Sequence, residues 1–95
     1  GAYWEERARQ LVVLWGATIV ARNYSCRLSE FDLIALDSER LAVIEVRYRK
    51  HSHFGSALAS VSPAKQQKAL MTAQTVMASH RNYCNRYYRF DIIAF

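Results

Sequence analysis

The sequence predicts an α/β domain with its elements in the order α-β-β-β-α-β, a mixed sheet, and helices on both faces of that sheet. Three observations carry this reading. Phe31-Asp32-Leu33-Ile34-Ala35-Leu36 and Leu41-Ala42-Val43-Ile44-Glu45-Val46-Arg47 are short apolar runs joined by Asp37-Ser38-Glu39-Arg40, the pattern of a β-hairpin. Both runs are apolar on both faces, so both faces need a covering layer. Ser62-Pro63 then opens a helix long enough to cross over and return a last strand parallel to the third.

Taken in order, Tyr3 to Trp15 reads as a first helix, because Trp4, Ala8, Leu11, Val12 and Trp15 follow the spacing of one buried face. Glu5 lies on that side, three and seven residues before Ala8 and Val12. As a residue at the edge of a buried stripe, it can equally pair or reach solvent. Glu6 points toward Arg9 and Gln10 on the solvent side. Gly16 is a natural helix end. Thr18 to Arg22 makes the first strand, and Asn23 to Ser29 a polar connection into the hairpin. His51 to Ser62 reads as a loop. Its His51-x-His53 pair has no further ligand beside it, so a solvent-exposed loop is the simpler account. In the second helix Ser62 is the N-cap and Pro63 the first helical residue. That helix is expected to run to Ser79 or His80 and to bury Leu70, Ala73, Val76 and Met77. Lys65 and Gln66 fall in its first turn on the core side, which points to an open site at the sheet edge. Phe90 to Phe95 is the last strand. The chain stops there while still apolar, so further native sequence is expected beyond the end of this single domain of residues 1–95.

The chemistry gathers at the hairpin. Counting outward from the Asp37–Arg40 turn, Asp32 opposes Glu45, and like charges directly opposed on an antiparallel pair are destabilising. Neither acid lies in a polar run, so desolvation adds to the cost. Something positive is needed between them. Mg²⁺ suits two neighbouring carboxylates, since it takes one or two of them and fills its shell with water and phosphate oxygens. Arg47, two residues after Glu45, shares its face of the strand. The bland alternative is a buried ion pair of Arg47 with Asp32 or Glu45 and no ligand.

Composition bounds the function. The chain has 95 residues, 52% hydrophobic and 22% charged, which fits one globular domain. No apolar stretch approaches a membrane span. Cys26 and Cys84 show no metal-ligand spacing and read as reduced thiols of a cytoplasmic protein. The net charge of +5 favours a polyanionic partner. The basic excess lies in Arg47-Tyr48-Arg49-Lys50, in Lys65 and Lys68, and in the tyrosine-interleaved tract from Arg81 to Arg89. That mixture suits phosphate contact with stacking, and equally suits a solvated surface.

Glu5 with Ala8 and Gly16, Asn23, and Glu30-Phe31-Asp32-Leu33-Ile34-Ala35 stand in an order and spacing that continue through the chain. Glu45-Val46-Arg47-Tyr48-Arg49, Phe54-Gly55, Ser60-Val61, Lys65-Gln66 and Arg89-Phe90-Asp91 complete the series. With these landmarks the chain resembles the YraN-like family, small bacterial proteins assigned as endonucleases in the PD-(D/E)XK nuclease-like superfamily. The resemblance implies a restriction-endonuclease-like core and Mg²⁺- or Mn²⁺-dependent hydrolysis of phosphodiester bonds in DNA, branched or junction DNA among the substrates. It implies Asp32, Glu45 and Arg47 as the motif acids and cation, Glu5 or Glu30 as completing the metal site, and Lys65 and Gln66 as helix residues facing it. The partner implied is DNA, with no membrane and with a homodimer left open. Two positions depart from the pattern: Trp4 stands where the family usually has Gly, and Arg47 replaces the superfamily lysine. Arginine keeps its proton, so it supplies charge and cannot help activate water; Lys50 or Lys65 is the alternative for that role. The competing function is a non-catalytic nucleic-acid-binding module on a degenerate nuclease fold.

Overall fold

The computed structural model describes residues 2–27, 30–48, 61–79 and 87–95. They form α1 (Ala2–Leu14), β1 (Thr18–Ser25), β2 (Glu30–Asp37), β3 (Arg40–Arg47), α2 (Pro63–Ser79) and β4 (Tyr87–Ala94). The sheet order is β1-β2-β3-β4, with the β1–β2 and β2–β3 pairs antiparallel and β4 parallel to β3. This is the expected α-β-β-β-α-β order and a mixed sheet, as in a restriction-endonuclease-like core. The His51/His53 pair and the residues Arg49, Lys50 and Arg81 to Arg86 lie outside the described residues. None of the described helices is long and apolar enough to cross a membrane.

α1 ends as its sequence demands. Gly16 adopts φ +95°, its N–H donates to the Val13 carbonyl, and the Ala17 N–H donates to that of Val12. These are the two bonds of a Schellman end, which only a residue tolerant of left-handed backbone completes without strain. The helix therefore stops at Leu14, and Trp15, expected in the buried stripe, is 66% exposed. α2 starts as expected: the Ser62 hydroxyl accepts from the Lys65 N–H at 3.1 Å, and Pro63 takes the first position.

Each helix covers one face. Ala8 and Val12 of α1 pack on Leu33, Ala35, Ala42, Ile44 and Ile93, while Ala69, Ala73 and Val76 of α2 pack on Phe31, Ile34, Leu41 and Val43. The α2 stripe is rotated from the expected one. Ala69 and Thr72 are buried, and Leu70 and Met77 are only half-buried. Small side chains at 69 and 73 let the helix lie close to the sheet, and Thr72 brings its hydroxyl to the Cys26 thiol at 3.5 Å. β1 and β4 each extend beyond their expected limits, through Asn23-Tyr24-Ser25 and from Tyr87. There backbone pairing with β2 and β3, not apolar content, holds the strand.

The hairpin keeps the expected register from Asp37↔Arg40 to Leu33↔Ile44, with Ser38 at φ +57° in a two-residue turn. The ladder stops one step short of Asp32 and Glu45, because β2 changes face there. Leu33 packs on the α1 side, yet Phe31, two residues earlier, packs on the α2 side. The neighbouring strand inverts in step. Arg22 reaches Glu6 of α1, Tyr24 packs on the α2 side, and Asn23 between them sits at φ +49°. Asparagine is among the few residues that adopt this conformation readily.

Candidate active site

The inversion turns the Asp32 carboxylate into the end-cap of β3: its Oδ2 accepts the Val46 N–H at 2.8 Å, taking the place of a strand carbonyl. Asp32 is thereby held between the two layers. On the α1 side it lies within hydrogen-bonding reach of Glu5, and burial first, then Asp32, push the Glu5 carboxyl above its ordinary pKa. Toward α2 it faces Glu45, whose pKa is raised by burial and next by the Asp32 charge.

Glu45 is 5% exposed, the one buried charged residue among those described. Two cations face it: Arg47 Nη1 stands 3.2 Å and Lys65 Nζ 3.7 Å from its Oε2. Lys65 is fixed further by donating to the Glu30 carbonyl at 3.2 Å and by lying 4.4 Å over the Phe31 ring. Arg47 is held less completely, since its buried Nε–H has no acceptor among the described residues.

Five residues singled out in the sequence thus meet at one end of the sheet: Glu5, Asp32, Glu45, Arg47 and Lys65. Glu30 is at the same end, where its carbonyl holds Lys65 and its residue is exposed. Gln66 is exposed and lines a groove with Pro63, Gln67, Leu70, Tyr88 and Phe90, away from the carboxylates. Arg89, part of the basic tract, is at the opposite end and is tied to Asp37 at 3.1 Å and Asp91 at 2.7 Å. Among the described residues no three acidic, histidine or cysteine side chains converge into a ready-made ion cage.

The family model for the uncharacterised protein family UPF0102 matches residues 4–95, the whole span from Trp4 onward. The chain belongs to UPF0102, the YraN family. It is 45% identical over 89 residues to a UPF0102 protein of Alcanivorax borkumensis, covering 94% of this chain and 71% of that one. A UPF0102 protein of Saccharophagus degradans is 43% identical over 94 residues, 99% of this chain and 80% of its own. One from Stutzerimonas stutzeri is 42% identical over 79 residues, or 83% and 66% respectively. The UPF0102 match spans every residue of the cluster just described. One feature was not read from the sequence: the paired inversion at Asn23 and Asp32. Asn23, an asparagine inside a strand, was its readable signal.

Proposed function

We propose that this UPF0102 chain is a Mg²⁺- or Mn²⁺-dependent DNA endonuclease with Asp32 and Glu45 as its central acids. The observation that carries the reading is the gathering of three carboxyl groups at one sheet end beside two cations. Acids whose pKa values are raised, here Glu5 and Glu45, cluster at functional sites. Glu5 and Asp32 are neighbouring carboxyl groups, and a hard divalent ion fits that donor set. No third ligand among the described residues closes a cage, so such an ion would rest on Asp32 with Glu5 or Glu45 and complete its shell with water and phosphate oxygens. When bound, it would lower the pKa of a water and stabilise charge on the scissile phosphate. Arg47 and Lys65 supply fixed positive charge for the transition state. The Val46 N–H fixes the Asp32 carboxylate through one of its two oxygens. Gln66, on the exposed first turn of α2, serves in this reading as a contact to the DNA backbone beside the site.

One observation favours a second reading, a nucleic-acid-binding module without catalysis: Arg47 and Lys65 already neutralise Glu45. A single set of assays separates the two. Flap, junction, nicked and plain duplex DNA are incubated with Mg²⁺ or Mn²⁺, and with EDTA. Metal-dependent cleavage of at least one substrate is expected. Arg47→Ala should lower it by about a hundred-fold or more and stay folded, because Lys65 remains on Glu45. Arg47→Lys should retain activity. A folded, metal-loaded wild-type protein that binds these DNAs and cuts none of them establishes the module instead.

A further inference from the structure

At the end of β3 successive residues point to opposite layers. Arg47 lies with Glu45 on the α2 side, and Tyr48 turns to the α1 side, where its ring stacks on Trp4. The two rings are 4.6 Å apart and 11° from parallel. Trp4 is wedged from its other sides by Phe95 at 4.8 Å and by the edge of Tyr3 at 4.8 Å. The Phe95 N–H donates to the Arg47 carbonyl at 2.8 Å, which ties the end of β4 to the base of the stack. The stack is thus braced from behind and open in front: Tyr48 is 49% exposed and Tyr3 65%. Unlike the exposed Trp15 and Tyr87, Tyr48 is held by a ring stacked on its face. The Phe95–Arg47 bond places this stack at the same end of the sheet as the carboxylates.

We propose that Tyr48, braced by Trp4, is a stacking platform for an unpaired nucleobase of the strand whose backbone runs past Arg47 and Lys65. The inference rests on the nuclease reading and narrows its substrate. A base inside a duplex has both faces covered by its neighbours, so only a splayed or single-stranded base offers a face to Tyr48. The occupant is set by charge as well as by shape: an aromatic platform on one face and two cations on the other, at the same end of the sheet, suit a nucleotide strand passing that end, in which a flat ring and an anion alternate. The substrate class is accordingly DNA with an unpaired nucleotide at the site, such as a flap, a fork or a junction arm, in preference to continuous duplex.

The test uses metal-free protein carrying Trp15→Phe, so that Trp4 is the sole tryptophan reporter. Trp15 is exposed at the far end of α1 and takes no part in the site. Two single-stranded probes of equal length and charge are titrated, oligothymidylate and its fully abasic counterpart. Oligothymidylate should change the Trp4 emission and bind about ten-fold or more tighter than the abasic strand, a ratio within reach of base–aromatic stacking. Tyr48→Leu, which keeps the packing on Trp4 and removes the outer ring face, should bring oligothymidylate down to the abasic level. Tyr48→Phe should keep the ratio, and Lys65→Ala should weaken both probes alike. Equal binding of the two probes, or an unchanged ratio in Tyr48→Leu, overturns the platform while leaving the nuclease reading intact. Failure of the wild-type protein to bind either probe or any duplex overturns both.

Discussion

Asp32 does two jobs that pull in opposite directions. Its carboxylate caps the Val46 N–H, which favours the fold, and its charge raises the pKa of both Glu5 and Glu45, which opposes it. Asp32→Asn keeps an acceptor for Val46 and removes the charge. In metal-free protein it should raise stability at neutral pH by up to about 1 kcal/mol, the scale of a like-charge cross-strand pair. For a domain of this length, about 1 kcal/mol corresponds to about 4–8 °C in Tm. The pH sign follows from the same shifts. Glu5 and Glu45 hold their protons more tightly in the fold than in the unfolded chain. Their contribution is therefore full below the ordinary value of 4.5 and is lost as pH rises through the raised values. Thermal melts from pH 4.5 to 8 should show the Asp32→Asn advantage growing with pH. Mn²⁺ should reverse the order at neutral pH by stabilising the wild type through mass action and leaving Asp32→Asn unmoved. An Asp32→Asn protein less stable than wild type at every pH, or equally stabilised by Mn²⁺, contradicts this account. Asp32, Glu45 and Arg47 were legible because spacing places them together, whereas Glu5 was tied to the site only by the family resemblance. A two-residue turn fixes the hairpin count, the strand period puts Arg47 with Glu45, and the helix period puts Glu5 on the buried side. Asp32 as a backbone cap was not legible, since it depends on a change of face set by the left-handed backbone at Asn23.

At the scale of elements, the hairpin and the helix ends were readable and the phase of α2 was not. Hairpin register follows from turn length, and the ends of the helices follow from Gly16 and Ser62-Pro63, each a local chemical demand. The phase of α2 follows from fit. Hydrophobicity selects Leu70 and Met77 for the core, but the sheet beneath already presents Phe31, Ile34, Leu41 and Val43. The space left accommodates alanine, so Ala69 and Ala73 turn inward and the longer side chains move to the flanks. This close approach also positions Lys65, one turn before Ala69, within reach of Glu45 and Phe31. Ala73→Leu should therefore destabilise the fold by about 1–3 kcal/mol through overpacking, measured by urea unfolding. By lifting the helix it should also weaken oligonucleotide binding through Lys65. Leu70→Ala, on the half-buried flank, should cost less than Ala73→Leu. The reverse order of the two variants would restore the stripe expected from hydrophobicity.

For the whole molecule, the charge distribution decides how a net +5 protein meets a polyanion. The sequence shows three basic stretches, and the fold uses them differently. Arg89 is bound between Asp37 and Asp91 at the turn end of the hairpin, where it neutralises acids and offers little to a distant phosphate. Arg47 and Lys65 stand at the other end beside the carboxylates, and Lys68 continues that side along exposed α2. Among the described residues the cations at the site end thus include Arg47, Lys65 and Lys68, and they stand beside the acids Glu5, Asp32 and Glu45. A duplex engaging Arg47, Lys65 and Lys68 with one phosphate each releases about three counterions' worth of salt dependence, a log–log slope of roughly −2.7. Lys65→Ala should lower affinity without changing sequence preference and reduce the slope by about 0.9. Arg89→Ala should leave the slope unchanged, since it stands at the opposite end of the sheet from the proposed phosphate contacts, and should lower stability instead. The measurement is fluorescence anisotropy of labelled duplex between 25 and 200 mM salt, roughly the range over which phosphate contacts dominate affinity. A slope that falls equally for Lys65→Ala and Arg89→Ala would mean that the net charge, and not the placement of the cations at the site end, draws the nucleic acid in.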